Sequence, residues 1–348
     1  MIKRTRAELS KLIIHKVGNK FNSGKNSFSD DVVRFDEESY DTMKNFLLKP
    51  FSNLTQSYRF LNGADVRLNE MNKIASEVFS AEDFFVENSM AIVEHLYEQS
   101  NSAQIKTGDV LVVFFEGIEY KDILTEAIGV FKIENKAHFF QTYQEDKNFD
   151  VALLKGISTN KIDKGCLILN TADTEGTVVL SVDNNNYDAQ YWIKNFLSVK
   201  LADDYNSHTF NFLQLCKEFS EEIIAPQFGM QEKADFLANT VDYFKENENV
   251  KNEEFIANVF EGDMDARFED YKKNFGTLND VVIRNSFDVS GAVFKKEKAK
   301  LKTEIKLDTN ISIKLDVDAP DAAAEYLERG YCEDKKMKFY TVYFNEER

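Results

Sequence analysis

The chain has 348 residues, enough for two or three domains. Hydrophobic residues make up 43% and charged residues 30%, a globular balance, and only three prolines exclude a long Pro-rich linker. The net charge of −17, from 43 Lys and Arg against 60 Asp and Glu, argues against indiscriminate coating of a polyanion unless cations gather locally.

Residues 1–20 carry charge and lack the apolar centre of a signal peptide, and no run approaches the ~20 apolar residues that cross a bilayer. A cytoplasmic location without membrane contact is expected. The short, β-branched stretch Leu12-Ile13-Ile14-His15-Lys16-Val17 predicts a strand. Residues 19–31, rich in Asn, Ser, Gly and Lys, predict a loop. A helix follows over 39–48, and Lys49-Pro50 should end it. Within 65–100, Met71, Ile74, Ala75, Val78 and Phe79 share one helical face. A second helix over 82–99 has Phe85, Met90, Ile92, Val93 and Leu96 as apolar positions, with Ser80 as its expected N-cap.

The period then changes. Gly108-Asp109 opens the apolar run Val110-Leu111-Val112-Val113-Phe114-Phe115, and 126–134, 151–157, 166–170 and 178–182 follow at short spacing. That spacing predicts an antiparallel meander, with turns near Gly117, Gly165 and Gly176. From Ala189 the pattern is helical, through Tyr191, Trp192, Phe196 and Leu197 to Phe210, Leu213, Leu215, Cys216 and Phe219. Pro226 marks an expected break. Helices over 236–244, 253–260 and 264–275 follow, with Asp235 and Asn252 as start signals. From Val281 the chain alternates again, through Ile305, Leu307, Ile311, Ile313 and Leu315 to a closing strand over 339–344. The fold class is therefore α+β. An N-terminal domain with an antiparallel sheet and helices is expected over 1–185, a helical segment over 186–276, and a small β-rich C-terminal domain over 277–348.

Charge is unevenly spread. Residues 218–270 hold 15 Asp and Glu against 4 Lys and Arg, whereas 284–314 hold 8 Lys and Arg against 4 Asp and Glu. The core of the basic stretch is Lys295, Lys296, Lys298, Lys300, Lys302 and Lys306, the candidate contacts for phosphate. A lysine run beside a strand also serves to solvate a loop or blunt a sheet edge. Phe294 is the one aromatic close by, so nucleic acid held here would be held by its backbone.

Catalytic signals are sparse. Cys166, Cys216 and Cys332 are far apart, without a CxxC pair, and predict neither a disulfide framework nor a cysteine zinc site. His15, His95, His138 and His208 fall in no metal-ligand spacing, and no GxGxxG, P-loop or GxSxG occurs. Asp109, at the start of a strand, with Glu134-Asn135-Lys136 after another, has the form of a metal-dependent nuclease centre. Glu-x-Lys is common in a chain this charged, and Glu304-Ile305-Lys306 repeats it. Asp263 and Asp265 lack the remaining spacing of a calcium loop. No catalytic residue, metal or cofactor is assigned.

Laid out in order, several segments together resemble the bacterial nucleoid-associated, NdpA-like protein family. They are Leu12 to Val17; Phe84 to Leu96 with Ser89 and Ala91; Gly108 to Val113; and Ala127-Ile128-Gly129-Val130-Phe131-Lys132. Lys164-Gly165-Cys166-Leu167-Ile168-Leu169-Asn170, Tyr191-Trp192 with Phe196-Leu197, and Ile305-Lys306-Leu307 with Ile311-Ser312-Ile313 complete them. The resemblance implies a protein found with the bacterial chromosome, associated with DNA or with DNA-handling proteins such as topoisomerases. The same residues have a packing role: Gly129 permits close packing, and the Tyr191–Leu197 aromatics form a buried helix face. Lys164, read as an exposed turn lysine, joins the candidate DNA contacts.

Three functions are consistent with these features. One is non-specific DNA binding through a local basic face. Another is protein interaction without direct DNA contact, the acidic helices binding a basic partner or imitating DNA. The third is metal-dependent nuclease activity through Asp109, Glu134 and Lys136. A homodimer is left open.

Overall fold

The computed structural model describes residues 2–61, 69–171, 177–185, 190–260, 264–279, 281–301, 303–315 and 326–346. The chain is α+β and divides into two compact units, 1–202 and 203–348. No helix among the described residues is long and apolar enough to cross a membrane.

The first unit is built on a sheet. Its elements are β1 (Ile2–Lys3), β2 (Glu8–Val17), α1 (Glu37–Leu48), β3 (Tyr58–Phe60), α2 (Glu70–Ser80), α3 (Phe85–Glu98), β4 (Gly108–Tyr120) and β5 (Ile123–Ile133). There follow β6 (Ala137–Glu145), β7 (Asn148–Gly156), β8 (Lys164–Leu169), β9 (Val178–Asp183), a π-helical segment over Gln190–Leu197, and β10 (Val199–Leu201). The sheet order is β1-β4-β5-β8-β9-β3-β10, with β2 pairing β4 beside β1, and every pairing is antiparallel.

Both faces of this sheet are covered, which explains its near-continuous apolar strands. Along β4, Val110, Val112 and Phe114 face the layer of α2, α3 and Trp192. Leu111, Val113 and Phe115 face the layer of α1 and Phe51. Gly117 has φ +64° and sits against the Arg6 carbonyl, at the bulge where β4 shifts register on β5 between Phe115 and Ile118. Helix α1 ends as expected, with Pro50 in a 3-10 turn over Lys49–Phe51. Ser80 does not cap α3: it is the last residue of α2, its hydroxyl donating back to the Glu77 carbonyl, and a 3-10 turn over Glu82–Phe84 leads into α3. The expected meander holds for β4, β5, β8 and β9 but not for 151–157, which was expected within it: β5 pairs directly with β8, and 151–157 falls in β7 outside the sheet. Strands β6 and β7 leave it as a separate hairpin, and the first of these was not expected.

The second unit contains α4 (Tyr205–Phe219), α5 (Ala225–Phe228), α6 (Met230–Glu246), β11 (Asn249–Lys251), α7 (Asn252–Val259), α8 (Asp265–Asn279), β12 (Ser286–Asp288) and α9 (Gly291–Lys298). The hairpins β13 (Thr303–Lys306) with β14 (Ser312–Leu315) and β15 (Leu327–Cys332) with β16 (Met337–Val342) complete it. Its core is largely phenylalanine: Phe212 meets Phe244, Phe255, Phe268 and Phe287 with ring centroids 4.9–6.2 Å apart. Pro226 causes no break: α4 runs on through a π-helical turn over Ser220–Ile224 into α5, and the proline follows that turn. The break falls at Gly229, with φ +105°. Asp235 lies inside α6, whereas Asn252 does open α7. Residues 277–348, read as a β-rich domain, share this unit with the helices and carry a helix of their own, α9.

Candidate functional site

The strand register of the first unit builds a charged cavity. Lys16 pairs with Asp109 and Val17 with Gly108 between β2 and β4, and Asp109 pairs with Ile133 across to β5. The end of β2, the start of β4 and the end of β5 therefore share one rim. Residues 18–27 fold back over it. Lys16 and Ser27 exchange backbone hydrogen bonds of 2.8 and 2.9 Å, and the Gly18 amide donates to Asn26 Oδ1. Lys136 precedes β6 and Lys155 lies near the end of β7, both at the base of the hairpin. The resulting cavity is about 460 Å³ and is lined by Lys16, Lys25, Lys136, Lys155, Asp109, Glu134 and small or aliphatic residues, none aromatic.

Asp109, Glu134 and Lys136, singled out as a nuclease-like trio, all line this cavity. Their carboxylates are already occupied. Asp109 Oδ2 lies 2.6 Å from Lys136 Nζ, and Glu134 Oε1 lies 2.9 Å from Lys132 Nζ. Among the described residues no group of three or more His, Cys, Asp or Glu is placed to hold a metal ion. Lys16, Lys25 and Lys155 are exposed and have no ion-pair partner among the described residues. The rim thus presents three uncompensated cations on a strongly acidic chain. None of them was singled out from the sequence. They lie in separate segments, and only the strand register and the folded-back loop bring them together.

Behind the rim lies a buried polar network. Lys132 is 0% exposed; its ammonium donates to the Lys106 carbonyl at 2.6 Å and lies 5.2 Å above the Tyr191 ring. Burial pulls its pKa below the usual lysine range, and Glu134 opposes that shift. Asp163 accepts from the Glu134 and Asn135 amides at 2.7 and 3.0 Å and from the Asn135 and Asn185 side chains at 2.9 and 3.0 Å. Burial alone would raise its pKa; these hydrogen bonds outweigh burial and hold it below the usual carboxylate value. Lys164 belongs here too, which corrects the expectation of an exposed turn lysine. It opens β8 between β5 and β9, is 2% exposed, and lies 2.6 Å from Asp183 Oδ2. A lysine in an interior strand cannot reach a phosphate outside.

The lysines of the second unit divide into two kinds. Lys295, Lys296 and Lys298 occupy the last turn of α9, where Lys295 and Lys296 are exposed and carry no ion pair among the described residues. Lys300 is paired to Glu297 at 2.8 Å and Lys306 to Glu304 at 3.6 Å. Lys302 and Asp263 lie outside the described residues. Phe294 stacks on Phe244 at 5.6 Å and is half-buried, so it is not open to a base. On the acidic helices, burial and then Glu222 and Glu221 raise the pKa of Glu218, while Asp235 is raised by burial and Glu232.

No curated protein matches the chain. Residues 13–338, nearly its whole length, match the family described as nucleoid-associated protein YejK, and the chain belongs to that family.

Proposed function

We propose that this nucleoid-associated protein docks the phosphate backbone of DNA through local lysine clusters, without catalysis and with little reading of sequence, in the cytoplasm where the chromosome lies. The observation that carries the reading is the cavity rim, where Lys16, Lys25 and Lys155 converge without compensating carboxylates. The last turn of α9, where Lys295 and Lys296 are exposed, is a second contact, with Lys298 beside them and Lys300 and Lys306, each in an ion pair, contributing less. Sequence tolerance follows from the absence of aromatic residues in the cavity lining. The test is a gel shift at low salt. Lys16→Glu with Lys25→Glu and Lys155→Glu, and separately Lys295→Glu with Lys296→Glu and Lys298→Glu, should each weaken the shift. If neither triple variant changes it, the reading is wrong. Plasmid should stay intact with Mg²⁺ and Mn²⁺; nicking lost on Asp109→Asn would instead favour the nuclease reading.

A second reading, an adaptor that binds a basic DNA-handling protein such as a topoisomerase, is favoured by the crowded carboxylates around Glu218. Such a cluster relaxes when a cationic partner arrives. Charge reversal at Glu218, Glu221 and Glu222 should then abolish recovery of the partner while leaving the gel shift unchanged.

A further inference from the structure

The β6–β7 hairpin is inserted between β5 and β8, which pair directly with each other, and its own strands pair only with one another. None of its residues is buried. Its register sorts them onto two unlike faces. Phe140 stands opposite Leu153, Thr142 opposite Val151 and Gln144 opposite Phe149, so these side chains share one face. Lys155, opposite His138, belongs to the same face, and Lys155 also lines the cavity. The face therefore runs from the cationic rim outward to Phe149, about 20 Å at about 3.4 Å per residue. The strand carboxylates Glu145 and Asp150 lie on the opposite face, and Asp146 is offset by Lys147 beside it in the turn. Phe140 is 73% exposed and Phe149 79%, against 48% for Phe139 on the other side.

We propose that this face is a platform for single-stranded DNA, with phosphates on the rim lysines and unpaired bases stacked on Phe140 and Phe149. The proposal rests on the phosphate-docking reading above and names the form of DNA that gains most from it. The face selects its occupant. At the base of the hairpin the ligand must be anionic, because Lys155 joins Lys16 and Lys25 there and no carboxylate shares the face. Further out it must be flat and apolar, because two phenyl rings stand about 14 Å apart along the strand with Val151 and Leu153 between them. A duplex meets the first demand and not the second, since its bases are already stacked on one another. A single strand meets both, having a charged backbone and a π-face on every base. Stacking does not depend on which base is present, so the tolerance of sequence is kept. Membership of a nucleoid-associated family favours DNA over RNA.

The test is fluorescence anisotropy on the full chain, with a labelled oligothymidylate of about ten nucleotides and a duplex of the same length. Phe140→Leu with Phe149→Leu keeps the face apolar and removes the rings. It should weaken the single strand by about tenfold or more and leave the duplex unchanged. Its urea unfolding should match wild type, because neither ring belongs to a buried core. Phe149→Trp should keep the affinity, and oligothymidylate should quench its indole, a signal that Trp192 does not give because it is fully buried. Lys16→Glu with Lys25→Glu and Lys155→Glu should weaken both ligands. A leucine variant that leaves the single strand unchanged, or weakens strand and duplex equally, overturns this proposal alone. A lysine variant that leaves both ligands unchanged overturns the phosphate reading with it. Tighter binding of oligouridylate, or of phosphatidylglycerol vesicles in place of any oligonucleotide, also overturns it and gives the face to RNA or to a lipid surface.

Discussion

Lys132 is a charge held in a place where charge is costly. Its ammonium is tolerated because Glu134 and the Lys106 carbonyl face it. Breaking a buried pair by removing one partner typically costs about 3–5 kcal/mol, more than the pair itself contributes. Lys132→Met and Glu134→Leu should therefore each lower the urea midpoint sharply, and the double variant should lose clearly less than the two losses together. Additive losses would show that the two groups do not stabilise each other. His15 makes a related demand. The Ser29 amide donates to its Nδ1 at 3.1 Å, so the ring proton sits on Nε2 and points to Ser89 Oγ at 2.8 Å. Burial lowers its pKa from the ordinary value. The unfolded chain therefore takes up this proton first as pH falls below about 6.5. Stability is full above that pH and declines as pH drops toward the folded-state value, by at most about 1.4 kcal/mol per pH unit for one proton. His208, lowered chiefly by burial, adds a loss of the same sign. His15→Gln should flatten part of the decline in urea stability from neutral pH downward; an unaltered slope would mean that His15 is already charged in the folded protein.

At the scale of elements, the sheet depends on two glycines that make room for one ring. A Cβ on Gly129 would stand 2.5 Å from Phe131 Cε2 and 3.0 Å from the Phe115 ring, and one on Gly165 would stand 3.0 Å from Phe131. Gly129→Ala should cost about 1–3 kcal/mol by overpacking. Phe131→Leu in the same chain should recover part of it; no recovery would place the strain in the backbone instead. Strands β4, β5, β8 and β9 were legible because burial on both faces makes each a run of apolar residues. Helix α9 was not. Over eight residues it buries Val293 and Glu297 and exposes Lys295 and Lys296, too short a window for a period of 3.6 to show. Lys164 misled for a different reason. Beside Gly165 it has the composition of a turn, and what buries it is Asp183, nineteen residues onward, reached only through the pairing of β8 with β9. Strand β6 has alternating character but no core beneath it, so nothing in its own residues says that it leaves the sheet.

At the scale of the whole molecule, DNA docked as proposed would meet two opposed fields. The chain's −17 would repel it at long range, and the rim lysines would attract it at short range. Salt separates the two because it sets their reach. At 0.1 M the Debye length is about 10 Å and the distant carboxylates are largely screened; at 0.01 M it is about 30 Å and they are not. Above roughly 0.1 M, counterion release should therefore govern binding, with log K falling linearly in log salt by about 0.9 per phosphate neutralised. The three rim lysines account for about 2.7 of that slope if each meets one phosphate. Toward 0.01 M the line should flatten, because the unscreened acidic surface offsets the gain. Fluorescence anisotropy with a labelled duplex across this range would show both regimes. Lys16→Glu, Lys25→Glu and Lys155→Glu together should make the linear part shallower by about that amount. A line that stays straight to the lowest salt would mean that the acidic helices do not face the bound DNA, and a slope untouched by the triple variant would move the contact away from the cavity.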